Sequence, residues 1–96
     1  ITLLHVIAQP VDDVYDKLGV PHDGAVGILT ITPGESAIIA GDIATKAGEV
    51  RIGFLDRFTG ALTITGDVAS VTSSMKAISE YFETVLGYAP SPLTKS

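Results

Sequence analysis

There is no cysteine in the 96 residues. Disulfides, thiolate metal centres and cysteine nucleophiles are thereby excluded, and the composition fits a cytoplasmic protein. Basic residues are scarce: Lys and Arg together number 6 against 11 Asp and Glu, for a net charge of −5. They are scattered, so the clustered basic footprint that nucleic acid requires is missing. Attraction to anionic lipid is disfavoured for the same reason. No apolar run approaches the roughly 18–20 residues of a membrane span. No signal-peptide pattern opens the chain. The first residue is Ile and not Met, which leaves a natural N-terminus further upstream as an expectation. Charged residues make up 18%, below the roughly 25% of an average globular chain. A single small domain of this length buries only about 60–65% of its unfolded surface, so oligomerisation is a natural source of further stability. Few charges on a small domain point to several faces that meet protein.

What is present reads as alternating strands and helices. Ile1 to Ala8 is rich in Ile, Leu and Val and predicts a strand. Pro10 suits a first helical turn, Val11, Val14, Tyr15 and Leu18 follow at helical spacing, and Gly19 is placed to cap the end. Gly24 to Thr32 predicts a second strand. Val26 and Ile28 share one face, and Leu29 and Ile31 the other, as in a central strand covered on both sides. Gly27 leaves room there for a close neighbour. Thr32-Pro33-Gly34-Glu35 has the form of a capping box, predicting a helix that runs to about Ala47. Ala37, Ala40, Ala44 and Ala47 make a small-residue stripe that lets this helix lie close to a sheet or a neighbouring subunit.

Glu49 to Leu55 predicts a third strand, with Val50, Ile52 and Phe54 on one face. The loop Asp56-Arg57-Phe58-Thr59-Gly60 joins it to a fourth, Ala61 to Thr65, as a hairpin. Asp67 caps a long helix whose Val68, Val71, Met75, Ile78, Phe82 and Val85 form a buried stripe, while Ser73 and Ser74 lie on the solvated side. Residues 88–96 read as an extended arm. The expected order is β-α-β-α-β-β-α: an α+β layer structure, its four-stranded sheet containing antiparallel pairs and carrying helices over one face.

Catalytic and cofactor signatures are missing. His5 falls in a strand and His22 in a loop, without metal-ligand spacing, so both read as packed or hydrogen-bonded histidines. Asp12 and Asp13 open a helix, where acids complement the dipole. No nucleophile elbow, phosphate loop or dinucleotide fingerprint occurs. No enzyme, cofactor or metal is expected.

The segment from His5 to Leu18, HVIAQPVDDVYDKL, resembles the strand and short helix that usually close a bacterial microcompartment (BMC) shell domain, with a motif of the form HVIPRPHDDLEKLL. Here that unit opens the chain. Gly27 to Gly48 and Ile52 to Val68 are similar to the core of the circularly permuted branch found in ethanolamine, propanediol and choline utilisation compartments, and the Leu93 to Ser96 ending is similar too. Permutation is tolerated where termini lie close together at the surface. The resemblance implies one permuted BMC domain over 1–96, with a permuted unit at 1–19, a core at 24–87 and a C-terminal arm at 88–96.

The same resemblance implies a structural protein of the bacterial cytoplasm. Its homohexamers would tile a shell with other shell proteins around encapsulated enzymes and admit or exclude small molecules. It places Asp56, Arg57, Phe58, Thr59 and Gly60 in a pore loop at the ring axis; an ordinary polar hairpin turn is the plainer reading of those residues. Family pores are usually glycine-rich, so Arg57 and Phe58 argue against an open one. The resemblance to the permuted branch implies a plugged tile, in which an N-terminal extension forms a small β-barrel over the axis; no such segment stands before Ile1 here, whether removed, disordered or never present. Lys46 matches an edge lysine that pairs neighbouring hexamers, although a lysine there also suits its own helix end. Gln9 replaces an edge arginine and loses a bidentate donor, which implies weaker or different tiling. Gly24 is a candidate hinge. Two other readings stay open at this point: an oligomeric small-molecule-binding regulatory domain, and a small enzyme acting at a subunit interface.

Overall fold

A computed structural model of the chain describes residues 1–20 and 24–96; the expected position of His22 lies outside them. In chain order the elements are β1 (Leu3–Ile7), α1 (Asp12–Leu18), β2 (Ala25–Thr30), α2 (Ser36–Ala47), β3 (Arg51–Asp56), β4 (Ala61–Gly66), α3 (Val68–Thr84) and β5 (Thr94–Lys95). The sheet has five strands in the order β3-β4-β2-β1-β5, one more than expected. All neighbours are antiparallel except β1 and β5, which run parallel. The arm therefore ends as an edge strand. A two-residue strand carries no alternation that sequence could reveal; backbone pairing holds it, with the Ser96 N–H donating to the Val6 carbonyl and the Ala8 N–H to that of Ser96.

β2 lies at the centre, and its two faces explain the layering. Ala25, Gly27 and Leu29 face α2 and α3, while Val26 and Ile28 face the other way. The main core joins Leu4, Val6, Leu29, Ile31, Leu62 and Ile64 from the sheet and its margin to the inward faces of α2 and α3. A second, smaller cluster sets Tyr15 and Val20 against Val26, with Leu18 and Ile28 alongside. Helices consequently cover both faces, not one: the short α1 unit packs behind the sheet.

Glycine and alanine set how close the layers come. A Cβ on Gly27 would lie 3.0 Å from Val71 Cγ1 and 3.1 Å from Met75 Sδ, so α3 descends onto β2 there. Ala37, Ala40 and Ala44 are fully buried, which assigns the stripe to the subunit's own core; Ala47 is exposed. The α3 stripe is buried at Val71, Met75, Ile78 and Phe82, but Val68 and Val85 at its ends are exposed. Ser74 corrects the expected solvated face. It is fully buried, and its hydroxyl donates to the Ala44 carbonyl at 2.9 Å, tying α3 to α2. Such a bond satisfies a group that would otherwise be costly to bury.

Helix boundaries follow local chemistry. Asp67 caps α3, its Oδ1 accepting from the Ser70 N–H at 2.8 Å. Gly19 ends α1 at φ 69°, as its spacing predicted, whereas α1 starts two residues after Pro10. The capping box does not form: α2 begins at Ser36, with Glu35 as N-cap and no side-chain cap bond. Thr32 to Gly34 instead make the turn that brings the chain against the β3–β4 loop. Gly34 lies there so close to the carbonyls of Arg57 and Phe58 that a Cβ would collide with them.

Candidate functional site

The β3–β4 loop is built from its own side chains. Asp56 Oδ1 accepts from the Phe58 N–H at 2.9 Å, and Oδ2 accepts from the Thr59 hydroxyl at 2.9 Å. These bonds favour the ionised form and hold the Asp56 carboxyl below its ordinary value of 3.8. The Gly60 N–H donates to the Asp56 carbonyl at 2.8 Å, and the Gly60 carbonyl accepts from Ile31 N–H at 2.9 Å. Gly60 has φ 77°, and a Cβ there would strike the Ile31 carbonyl. The loop is thus a closed, anchored turn. At its tip Phe58 is 83% exposed. The Arg57 guanidinium carbon lies 5.1 Å from the centre of the Phe58 ring, within cation–π range.

The other candidates lie elsewhere. Lys46 is exposed near the end of α2, and its Nζ pairs with Asp42 Oδ2 one turn earlier at 2.9 Å. Gln9 and Gly24 are brought together: both line a hollow of about 730 Å³, shared with Tyr15 and Asp67, where the α1 unit meets the start of α3. Gly24 has φ 73°, and a Cβ on it would collide with the Gly66 carbonyl. Its own carbonyl accepts from the Tyr15 hydroxyl at 2.6 Å. Both ring nitrogens of His5 are hydrogen-bonded, Nδ1 with Thr94 Oγ1 and Nε2 with Ser96 Oγ at 2.8 Å. The expected hydrogen-bonded role of His5 holds, through partners about ninety positions away that no local pattern could have pointed to.

A further feature escaped the sequence reading. β3 is an edge strand, and a register shift at Gly53 separates the pair Ile52↔Ile64 from the pair Phe54↔Thr63. Ile64 belongs to the core face and Thr63 to the opposite one, so Phe54 does not share a face with Ile52 as the alternation implied. Ile52 is 43% and Phe54 51% exposed along this open edge. Ile38 and Ile39 on α2 are exposed as well. An exposed edge strand with apolar side chains is normally blunted or covered.

Among the described residues, no helix is long and apolar enough to cross a membrane. Nor does any group of three or more His, Cys, Asp or Glu among them converge to hold a metal ion.

A small α+β domain with a rigid exposed loop and an unpaired apolar edge has the make-up of an assembly unit. The BMC domain profile matches residues 25–91. The chain belongs to the BMC-domain family, in its circularly permuted form. It is 54% identical to the bacterial microcompartment shell protein CutR of Streptococcus intermedius, over all of this chain and 83% of that one. It is 49% identical to the shell protein EutS of Escherichia coli K12, over all of this chain and 86% of that one. The fold superposes on a protomer of the CutR flat hexamer with a TM-score of 0.97 at 53% identity, covering 99% of this chain and 81% of that one. It also superposes on a CutR screw form of 33.8 Å pitch with a TM-score of 0.95 at 53% identity, covering all of this chain and 98% of that one.

Proposed function

We propose that the chain is a structural tile that closes into cyclic homohexamers and, with other shell proteins, covers a bacterial microcompartment and its enclosed enzymes in the cytoplasm. The observation that carries this reading is the near-complete superposition on a protomer of a flat hexamer. A closed ring needs a heterologous interface, in which one surface of each copy meets a different surface of the next. The exposed edge of β3 supplies one such surface. In this reading the anchored 56–60 loops converge on the axis, and Phe58 narrows the opening to small molecules. Lys46 and Gln9 lie at the ring perimeter. The regulatory and enzymatic alternatives gain no support from these relatives.

Gly24 is the proposed bend point between the 1–19 unit and the core. A Gly24→Val variant that stays folded and gives rings of unchanged curvature contradicts that role. Native mass measurement with negative-stain imaging tests the proposal as a whole. Six-chain rings that extend into sheets or tubes are expected, and a folded single subunit at high concentration contradicts it.

A further inference from the structure

We infer that Val20 and Gly53 are a positioning pair, by which the short unit behind the sheet sets the open β3 edge in place for contact with the next copy. The inference rests on the proposed use of that edge in the ring and names the residues that fix its geometry.

β3 has one backbone neighbour, β4, so its outer side is held by nothing in the sheet. The register shift at Gly53 interrupts even that pairing. Side-chain packing on the two faces supplies the remaining hold. On the α2 side, a Cβ on Gly41 would lie 2.9 Å from Leu55 Cδ1 and 3.2 Å from Ile52 Cδ1, so the helix rests directly on the strand. On the other side, a Cβ on Gly53 would lie 2.6 Å from Val20 Cγ1. Among the described residues the next nearest atom is the Thr63 carbonyl oxygen at 3.6 Å, an ordinary contact. Gly53 is not one of the glycines at positive φ. Its backbone would therefore accept alanine, and the obstacle to a side chain there is Val20.

Val20 cannot easily swing aside. It follows the Gly19 cap of α1, where the Gly19 N–H donates to the Asp16 carbonyl and the Val20 N–H to the Tyr15 carbonyl, each at 3.1 Å. Tyr15 is itself tied to the Gly24 carbonyl through its hydroxyl. The β-branched Val20 side chain is stiff at χ1 and buried against Tyr15 and Val26. It thus seats in the notch that the missing side chain of Gly53 leaves. Phe54, the next residue, pairs with Thr63, which pairs in turn with Ile28 on the same face as this cluster. A bulge re-aims the side chain that follows it, and here Val20 sits over the bulge. A head-to-tail interface closes into a ring only at one rotation between copies, so a displaced edge should be felt in assembly beyond its effect on the subunit.

The test is a double-mutant cycle of Gly53→Ala and Val20→Ala, with assembly read by sedimentation against concentration and subunit stability by urea unfolding. In the wild-type background Gly53→Ala should raise the concentration at half assembly about tenfold, and in the Val20→Ala background by less than about threefold. Should Gly53→Ala fail to fold, recovery of folding in the double variant supports the pair, and a double variant that also fails overturns it. Equal effects of Gly53→Ala in both backgrounds, or a lowered urea midpoint with wild-type assembly, also overturn it. If the wild-type chain forms no ring, the proposed function has failed and the pair is read from amide exchange. Gly53→Ala alone should then speed exchange along β3 several-fold, with the rate restored when Val20→Ala is added; unchanged exchange overturns the inference.

Discussion

Two glycines in the site have backbone angles and surroundings that exclude a side chain. Gly60 and Gly24 sit at φ 77° and 73°, each with a neighbouring carbonyl where a Cβ would be. Gly60→Ala should cost about 1–3 kcal/mol, read as a lower urea midpoint. An effect within error would mean that the loop is not anchored as described. Asp56 and Asp67 both have pKa values lowered by hydrogen bonds in the folded state, Asp67 through the Ser70 backbone and side chain. A depressed folded pKa contributes stability above the ordinary value that is lost as pH falls through the folded one. Stability should therefore decline below the ordinary carboxylate value of 3.8. The Asp67→Asn variant should show a shallower decline in acid-titrated melting. At this scale the Asp67 cap was legible because its partner is three residues away. The buried role of Ser74 was not, because its partner is thirty residues away and serine on a helix usually faces water.

Elements were legible where a period repeats. The core of α3 and the double-faced pattern of β2 were both readable, and both follow from burial on a fixed geometry. The strand β5, the bulge at Gly53 and the placement of α1 behind the sheet were not. Each depends on a partner distant in the chain and not on a local repeat. Phe82, fully buried and 5.0 Å from the Tyr88 ring, joins α3 to the C-terminal arm. Phe82→Ala should destabilise by about 3–5 kcal/mol in chemical denaturation. The His5 contacts predict a more local effect. His5→Ala should loosen β5, raising hydrogen exchange at the Ala8 and Ser96 amides several-fold, while β2 and β4 amides in the sheet centre stay protected. Uniform protection would show that the backbone pairing alone holds the arm.

For the whole molecule, the ring reading came from resemblance and not from physical pattern. No periodicity in a single chain states how copies meet. What the structure adds is an edge that one copy leaves uncovered. Phe54→Asp on that edge should leave the subunit folded but shift the native mass toward smaller species, since it places a charge where apolar contact is expected. Lys46→Ala should leave rings intact and reduce their extension into sheets, seen by negative stain. The central claim is that the 56–60 loops meet at the middle of a closed ring. Because the chain has no cysteine, a Phe58→Cys variant offers one attachment point for a spin label. Dipolar spectroscopy on the assembled protein then reads the label separations directly. Short distances clustered around a single axis are predicted, while separations comparable to the ring diameter, or no dipolar coupling at all, would contradict the account.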